Sequence, residues 1–159
     1  MASLDPITSV RELGTWQGEI PLYQVYSAGL AGERFLREIM EKGRILGSRC
    51  QPCAYTYVPA RSYCERCFAP LDEWVEVGPQ GTLRARTVAH LDARGRRLDP
   101  PAVIGLIQLD GADGLLVHYL RGVRPGEAKE GLRLRAVFKP RARRLGSILD
   151  IQGFRPIQK

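Results

Sequence analysis

The first segment with a clear period lies at residues 29–42. Phe35, Leu36, Ile39 and Met40 recur at i, i+1, i+4 and i+5 and make one apolar stripe. Glu33, Arg34, Arg37, Glu38, Glu41 and Lys42 fall largely on the opposite side, which predicts an amphipathic helix. Gly43 is its expected stop. A stripe of this kind is usually core, but a helix placed ahead of a small ribbon can also pack on another chain. From Gly81 onward the period changes to that of short strands. Thr82–His90 is the first, Ala102–Leu109 is nearly continuous apolar, and Leu115–Leu120 follows a turn flanked by Gly111 and Gly114. Leu132, Leu134, Ala136 and Phe138 alternate with Arg133, Arg135 and Lys139, the pattern of a half-buried strand. Ile148–Phe154 closes the series. With a loop at 92–101 and a Gly/Pro-punctuated connection at 121–131, five such strands fit a Greek-key barrel of the OB type, with an SH3-like barrel as competitor. The fold class expected is mainly β: a helical arm, a rubredoxin-like zinc ribbon and a five-stranded OB-fold barrel. The domain bounds expected are 1–43, 44–78 and 79–159.

Ahead of the helix, residues 16–26 read Trp-Gln-Gly-Glu-Ile-Pro-Leu-Tyr-Gln-Val-Tyr. Trp16, Tyr23 and Tyr26 need cover, supplied either by the domain folding back or by a partner.

Between helix and barrel stand all four cysteines, as Cys50-Gln-Pro-Cys53 and Cys64-Glu-Arg-Cys67. Two Cys-x-x-Cys pairs a short loop apart are the mark of a four-thiolate metal site, each pair forming a knuckle that aims two sulfurs inward. Zinc suits that tetrahedron because it has no d-electron preference and binds thiolate well. Four cysteines leave no coordination position for substrate or water, so the metal is structural; rubredoxin-type iron is the minor alternative. The competing readings are two disulfides or a redox motif, but redox motifs come singly at a helix start. Pro52, Pro59, Tyr55, Tyr57 and Tyr63 instead read as short strands and turns. Many ribbons carry glycine after each pair, where this chain has Ala54 and Phe68.

Composition adds limits. At 159 residues and 44% hydrophobic content the chain suits one ordinary domain or two small ones. A ribbon of that size buries little, so metal must stabilise it. No apolar run reaches membrane-spanning length, and no charged-then-apolar segment opens the sequence, which leads to the expectation of a soluble cytoplasmic protein with reduced thiols. The net charge of +7 is uneven: residues 81–159 hold sixteen basic and seven acidic side chains. That suggests nucleic acid, a phosphorylated cofactor or an acidic protein as partner, weighed equally against a merely solvated arginine-rich surface.

Candidate catalytic groups are few. His90 and His118 both fall inside predicted strands, the thiols are committed to metal, and the aspartates at 92, 99, 110 and 113 sit beside glycine or proline as ordinary turn residues. Single-stranded nucleic acid would need exposed aromatics to stack on. After residue 81 the aromatics are Tyr119, Phe138 and Phe154, and Tyr119 and Phe138 are in phase with apolar faces and expected to be buried. A phosphorylated cofactor needs only cations; Arg84, Arg86, Lys139 and Arg141, with Arg143 and Arg144, are the candidates.

Together these segments resemble the zinc-ribbon and OB-fold proteins that accompany thiolases and HMG-CoA synthases. Similar to that family are Gly29–Gly43 with Phe35; Arg49-Cys50-x-x-Cys53, Pro59-Ala60-Arg61 and Cys64-x-x-Cys67; Glu73-Trp74-Val75, Gly78 and Gly81-Thr82-Leu83; Pro100-Pro101; and Gly131-Leu132-Arg133-Leu134. The Trp-x-Gly-x-Ile-Pro segment also resembles small subunits of thiolases acting on aromatic acyl-CoA compounds, benzoylsuccinyl-CoA thiolase among them. The resemblance implies a non-catalytic, zinc-binding subunit docked in a hetero-oligomer on a thiolase-like or HMG-CoA-synthase-like catalytic partner, with CoA or acyl-CoA near the interface. Trp16, Tyr23, Tyr26, Phe35 and Ile39 become candidate partner contacts. The alternative is a ribbon–barrel protein that binds single-stranded nucleic acid.

Overall fold

The computed structural model describes Gly18 and residues 22–157. One helix, α1 (Gly29–Lys42), is followed by eight strands: β1 (Ile45–Cys50), β2 (Tyr55–Tyr57), β3 (Glu73–Val77), β4 (Gln80–Leu91), β5 (Arg97–Leu109), β6 (Leu116–Tyr119), β7 (Arg133–Phe138) and β8 (Ile151–Pro156). Short 3-10 turns at Arg141–Arg143 and Ile148–Asp150 join the last two strands.

The helix ends where Gly43 enters the left-handed region at φ 66°, its N–H donating back to the Ile39 carbonyl at 3.1 Å. A side chain there would also strike the Arg144 guanidinium, which reaches to the Ile39 carbonyl from the far end of the chain. Ala31, Phe35 and Ile39 are buried, with Leu36 packed beside them. This corrects one expectation: Phe35 and Ile39 cannot contact a partner, because they lie in the core shared by helix, ribbon base and barrel.

Two antiparallel sheets follow. The first has the order β2-β1-β3 and the second β6-β5-β4-β7-β8. β4 serves both halves of the larger sheet: Gln80–Thr82 pair with β7, and the strand then shifts register between Leu83 and Ala85 while pairing with β5. Such a bulge bends a strand and lets a sheet curl. A parallel bridge between Leu120 and Phe154 brings β6 to β8. Leu83, Ile107, Leu109, Leu134, Ile151 and Phe154 fill the interior.

The small sheet is not free of the large one. Ile45, Val58, Ala60 and Val77 from the ribbon base belong to the barrel core. The Thr56 N–H donates to the Asp113 carboxylate at 2.8 Å, and the N–H groups of Asp113 and Gly114 donate to the Thr56 carbonyl, both at 3.0 Å. Gly114 allows this approach, since a Cβ there would lie 3.0 Å from the Val58 nitrogen.

Three strand expectations change. β5 begins at Arg97 because Asp92 closes a tight loop, its carboxylate accepting from the N–H groups of Arg94 and Arg96 at 2.8 and 2.9 Å. Tyr119 is 38% exposed, not buried: β6 turns Leu116, His118 and Leu120 inward and leaves Leu115, Val117 and Tyr119 outside. A run of mixed apolar residues leaves the phase open, and the inward face here includes a histidine that hydrophobicity votes against. His118 is satisfied inside, its Nδ1 accepting from the Tyr119 N–H at 2.9 Å and its Nε2 donating to the Ile148 carbonyl at 3.3 Å. Phe138 is half-buried, with the Arg144 guanidinium 5.6 Å from its ring.

Candidate metal centre and its surroundings

β1 ends on Cys50, and the turn that follows places Cys53 beside it. The second knuckle is held by its backbone: the Cys64 N–H donates to the Ala69 carbonyl and the Phe68 N–H to the Cys64 carbonyl, both at 2.9 Å. A bridge between Tyr63 and Pro70 closes the loop. The four sulfurs all lie within 4.8 Å of one another. The Cys50–Cys67 and Cys53–Cys64 separations are 3.5 and 3.8 Å. A regular tetrahedron with metal–sulfur bonds of about 2.3 Å has edges of about 3.8 Å. The donor set therefore fits zinc, and the sulfurs converge on one point rather than pairing off as two disulfides. Four thiolates fill the coordination sphere, so the chemistry available is structural.

Ala54 and Phe68 occupy the positions where ribbons often carry glycine, and both adopt positive φ, 48° and 59°. The knuckle geometry is thus kept without glycine, at the steric cost of a Cβ in the left-handed region. Cys50 and Cys64 are buried, Cys53 half-buried and Cys67 exposed.

Sequence reasoning missed the role of Tyr57, whose hydroxyl lies 3.2 Å from the Cys64 sulfur. As bare thiols the set is electrostatically split. The Tyr57 hydrogen bond holds Cys64 low, at about 6. Hydrogen bonding to Cys67, with burial, pushes Cys53 up to about 12. Burial likewise raises Cys50. Tyr57 and Tyr55 are themselves overlain by the guanidinium groups of Arg61 and Arg66 at 5.2 and 4.2 Å. An aromatic at alternate strand positions beside a cysteine pair was the available signal, and it read only as a strand.

The four cationic candidates are not brought together. Gln80 pairs with Arg135, so Arg84 and Arg86 lie beyond one end of the β4–β7 ladder and Lys139 and Arg141 beyond the other. Arg84 donates twice to the Gln108 side chain, at 2.9 and 2.6 Å. Lys139 lies 3.4 Å from Asp150 and lines a cleft of about 570 Å³ with Tyr119, Arg121 and Arg155. Of the arm candidates, Tyr23 and Tyr26 are 94% and 81% exposed, in company with Leu22 and Val25. Trp16 lies outside the described residues.

Comparison with known proteins finds two matched parts of the chain. Residues 37–73 match the ChsH2 rubredoxin-like zinc ribbon domain and residues 74–139 the ChsH2 C-terminal OB-fold domain. This settles the barrel as OB rather than SH3-like. A crystal structure of a Sulfolobus solfataricus protein of unknown function from the DUF35 family is 33% identical, over 69% of this chain and 78% of that one, with a TM-score of 0.58. The chain belongs to the DUF35 family. A second DUF35 structure, described as the Ltp2-ChsH2(DUF35) aldolase, shares the fold at 23% identity and a TM-score of 0.57, over 78% of this chain and 93% of that one. Among curated proteins nothing matches. The DUF35 fold accounts for the zinc ribbon and the OB barrel. Among the described residues no helix is long and apolar enough to cross a membrane.

Proposed function

We propose that the chain is a non-catalytic accessory subunit of an acyl-CoA thiolase or related condensing enzyme, in which zinc organises the ribbon and the barrel presents a docking platform. The observation that carries this reading is the arm at residues 22–26. Four large apolar side chains stand almost fully in solvent immediately before a helix that is itself anchored in the core. Burying such a segment is worth roughly 1.5–3 kcal/mol per large side chain, which a partner surface can supply. The fold neighbour described as an Ltp2-ChsH2 aldolase supports it, since there a DUF35 chain is named together with a second protein as one enzyme.

The chemistry of this chain agrees with a supporting role. The thiols converge on one metal position, and both ring nitrogens of His118 are engaged inside the barrel. Reactive groups are then the partner's. In the tripartite division at 43/44 and 78/79, the arm grips the partner through Tyr23 and Tyr26 and, beyond the described residues, Trp16. Any contact with CoA phosphates we assign to Lys139 and Arg141, whose stretch of chain is fixed by Asp150.

One observation favours nucleic acid instead. Tyr119 is exposed, and the Arg121 guanidinium lies 5.4 Å from its ring. A lone aromatic among aliphatic neighbours is a poor stacking ladder, so this reading ranks second.

Affinity purification of the tagged chain from its native cells, with mass spectrometry of what co-elutes, separates the two. The accessory reading expects a stoichiometric thiolase-like or condensing-enzyme subunit, with Tyr23→Ala/Tyr26→Ala reducing its recovery at least tenfold. Recovery of nucleic acid through moderate salt, without such a subunit, would reject it.

A further inference from the structure

The outer surface of β7 and β8 sets like charges against each other. Arg135 and Arg155 are directly opposite in the register and both are exposed. Among the described residues neither has an acidic partner within ion-pair distance, whereas Arg133, the preceding outward residue of β7, is paired with Asp110 at 2.6 Å. Cross-strand cations so placed repel one another.

A third guanidinium is built into the same surface. The parallel bridge between Leu120 and Phe154 brings the end of β6 alongside β8, and the Arg121 N–H donates to the Phe154 carbonyl at 2.8 Å. The Arg121 side chain then lies across Gly153, where a Cβ would stand 2.6 Å from its Cγ. Its Nε donates to the Gln152 carbonyl at 3.2 Å, which holds the guanidinium against β8 and leaves its terminal nitrogens for a ligand.

Arg121, Arg155 and Lys139 border the cleft of about 570 Å³, an ordinary size for a small-molecule site, with Tyr119, Val137 and Leu149 as its apolar part. No carboxylate lines it. The buried Asp150 answers Lys139 and leaves both guanidinium groups without a counter-charge. Tyr119 and Arg121 also edge a larger groove that holds Asp92 and Glu127, but Asp92 is bound to Arg96 and Glu127 accepts from the Arg124 N–H.

What this arrangement suits is a compact anion. A phosphate group carries close to two charges at pH 7 and offers oxygens to several donors at once, so a single one can answer two guanidinium groups. A single carboxylate would leave one of them uncompensated. A nucleic-acid strand is followed by cations and aromatics spaced along a groove, whereas these cations converge on one concavity.

We propose that this cleft binds a small organic phosphate of nucleoside-diphosphate size, its phosphates held by Arg121 and Arg155 and its organic part laid on Tyr119 and Leu149. The site is made by this chain alone, so it goes beyond the accessory reading and does not depend on it.

The test titrates ADP and inorganic pyrophosphate into the full-length, zinc-loaded chain by calorimetry at low salt, and follows thermal melting. One saturable site for ADP is expected, with pyrophosphate competing for it and both weakening as salt rises. Arg155→Gln and Arg121→Gln should each weaken ADP at least tenfold. Arg94→Gln, which removes the same charge from the exposed loop between β4 and β5, should leave it unchanged. Arg155→Gln decides the matter if Arg121→Gln, whose stem packs on Gly153, alters the melt. Without ligand, Arg155→Gln should melt no lower than the native chain, since it relieves the repulsion of Arg135; ADP should raise the melting temperature of the native chain and not of that variant. Absence of saturable ADP binding, or an equal loss in Arg94→Gln, would overturn the cleft, as would binding of oligo(dT) without binding of ADP. A chain that binds ADP but recovers no condensing-enzyme subunit would keep the cleft and reject the accessory reading. The reverse result would keep that reading and withdraw the cleft.

Discussion

The tip of the ribbon and the barrel are held by different forces. The tip encloses four buried residues, Cys50, Tyr57, Cys64 and Leu71, two of them metal ligands. The barrel, with α1 and the ribbon base, encloses eighteen. Four buried side chains cannot offset the conformational entropy of ordering the loop from Cys50 to Leu71, at about 1–2 kcal/mol per residue for the backbone alone. The barrel can do so by apolar burial. The boundary between the two regimes therefore does not follow the ribbon's outline. It runs across the ribbon, because Ile45, Val58, Ala60 and Val77 side with the barrel.

Removing the metal is the strongest way to break that comparison. Chelation, or Cys64→Ser, is expected to expose the amides of residues 50–55 and 61–71 to hydrogen exchange, while those of Val58, Leu83, Ile107 and Leu134 stay protected. The energy at stake in the tip is on the order of 10–16 kcal/mol, the apparent zinc affinity of small zinc-folded units. Loss of protection in the barrel as well would mean that the Thr56–Asp113 clamp makes the two a single cooperative unit. Acid should act like chelation. Metal uptake displaces protons from Cys50 and Cys53, both raised as free thiols, so zinc affinity rises with pH and occupancy falls on acidification.

Asp150 sharpens the comparison from the barrel side. Its buried carboxylate accepts from the backbone N–H groups of Leu145 and Gly146 at 2.8 Å and of Ser147 at 3.1 Å, with Lys139 beside it. Burial alone would raise its pKa, but these donors outweigh it and hold the group below the usual carboxylate value. A depressed folded pKa stabilises the native state above the unfolded value near 3.8 and is lost as pH falls through the folded one. Asp150→Asn should cost roughly 2–3 kcal/mol at pH 7. In that variant the acid-side loss of stability below about pH 4 should be smaller, and zinc affinity unchanged. Denaturant melts at pH 7 and pH 3, with zinc titration, test all three statements.

Legibility in the sequence divides along the same line. The helix from Gly29 with its stop at Gly43, the order of the strands and the convergence of the four cysteines follow from local rules of period, cap and cysteine spacing, while strand ends moved, β5 beginning at Arg97 and β8 at Ile151. What failed depended on which side of an element meets the core. The stripe with Phe35 and Ile39 could face a partner or the barrel, and only the packing of α1 on the ribbon base decided it. In β6 the run Leu115–Leu120 admits either phase, and a buried histidine selected the less apolar one. The candidate cations were chosen by charge, and charge does not state which end of a ladder a residue occupies.

The smallest predicted effect lies in the knuckles. Ala54 and Phe68 hold positive φ, where a Cβ costs about 1–2 kcal/mol relative to glycine. Glycine also widens the unfolded ensemble, so the net gain from Ala54→Gly should be nearer 0.5–1 kcal/mol. The tip should feel it and the barrel should not: zinc transfer to a chromophoric chelator slows a few-fold, while the barrel's melting is unaltered. Phe68→Gly relieves the same strain but also removes a ring that is 79% exposed and so contributes little packing. The two variants should therefore slow zinc transfer alike. Faster transfer in Phe68→Gly alone would show that the ring shields the exposed Cys67 sulfur, and that the strain at this knuckle is kept for the metal's sake rather than tolerated by the fold.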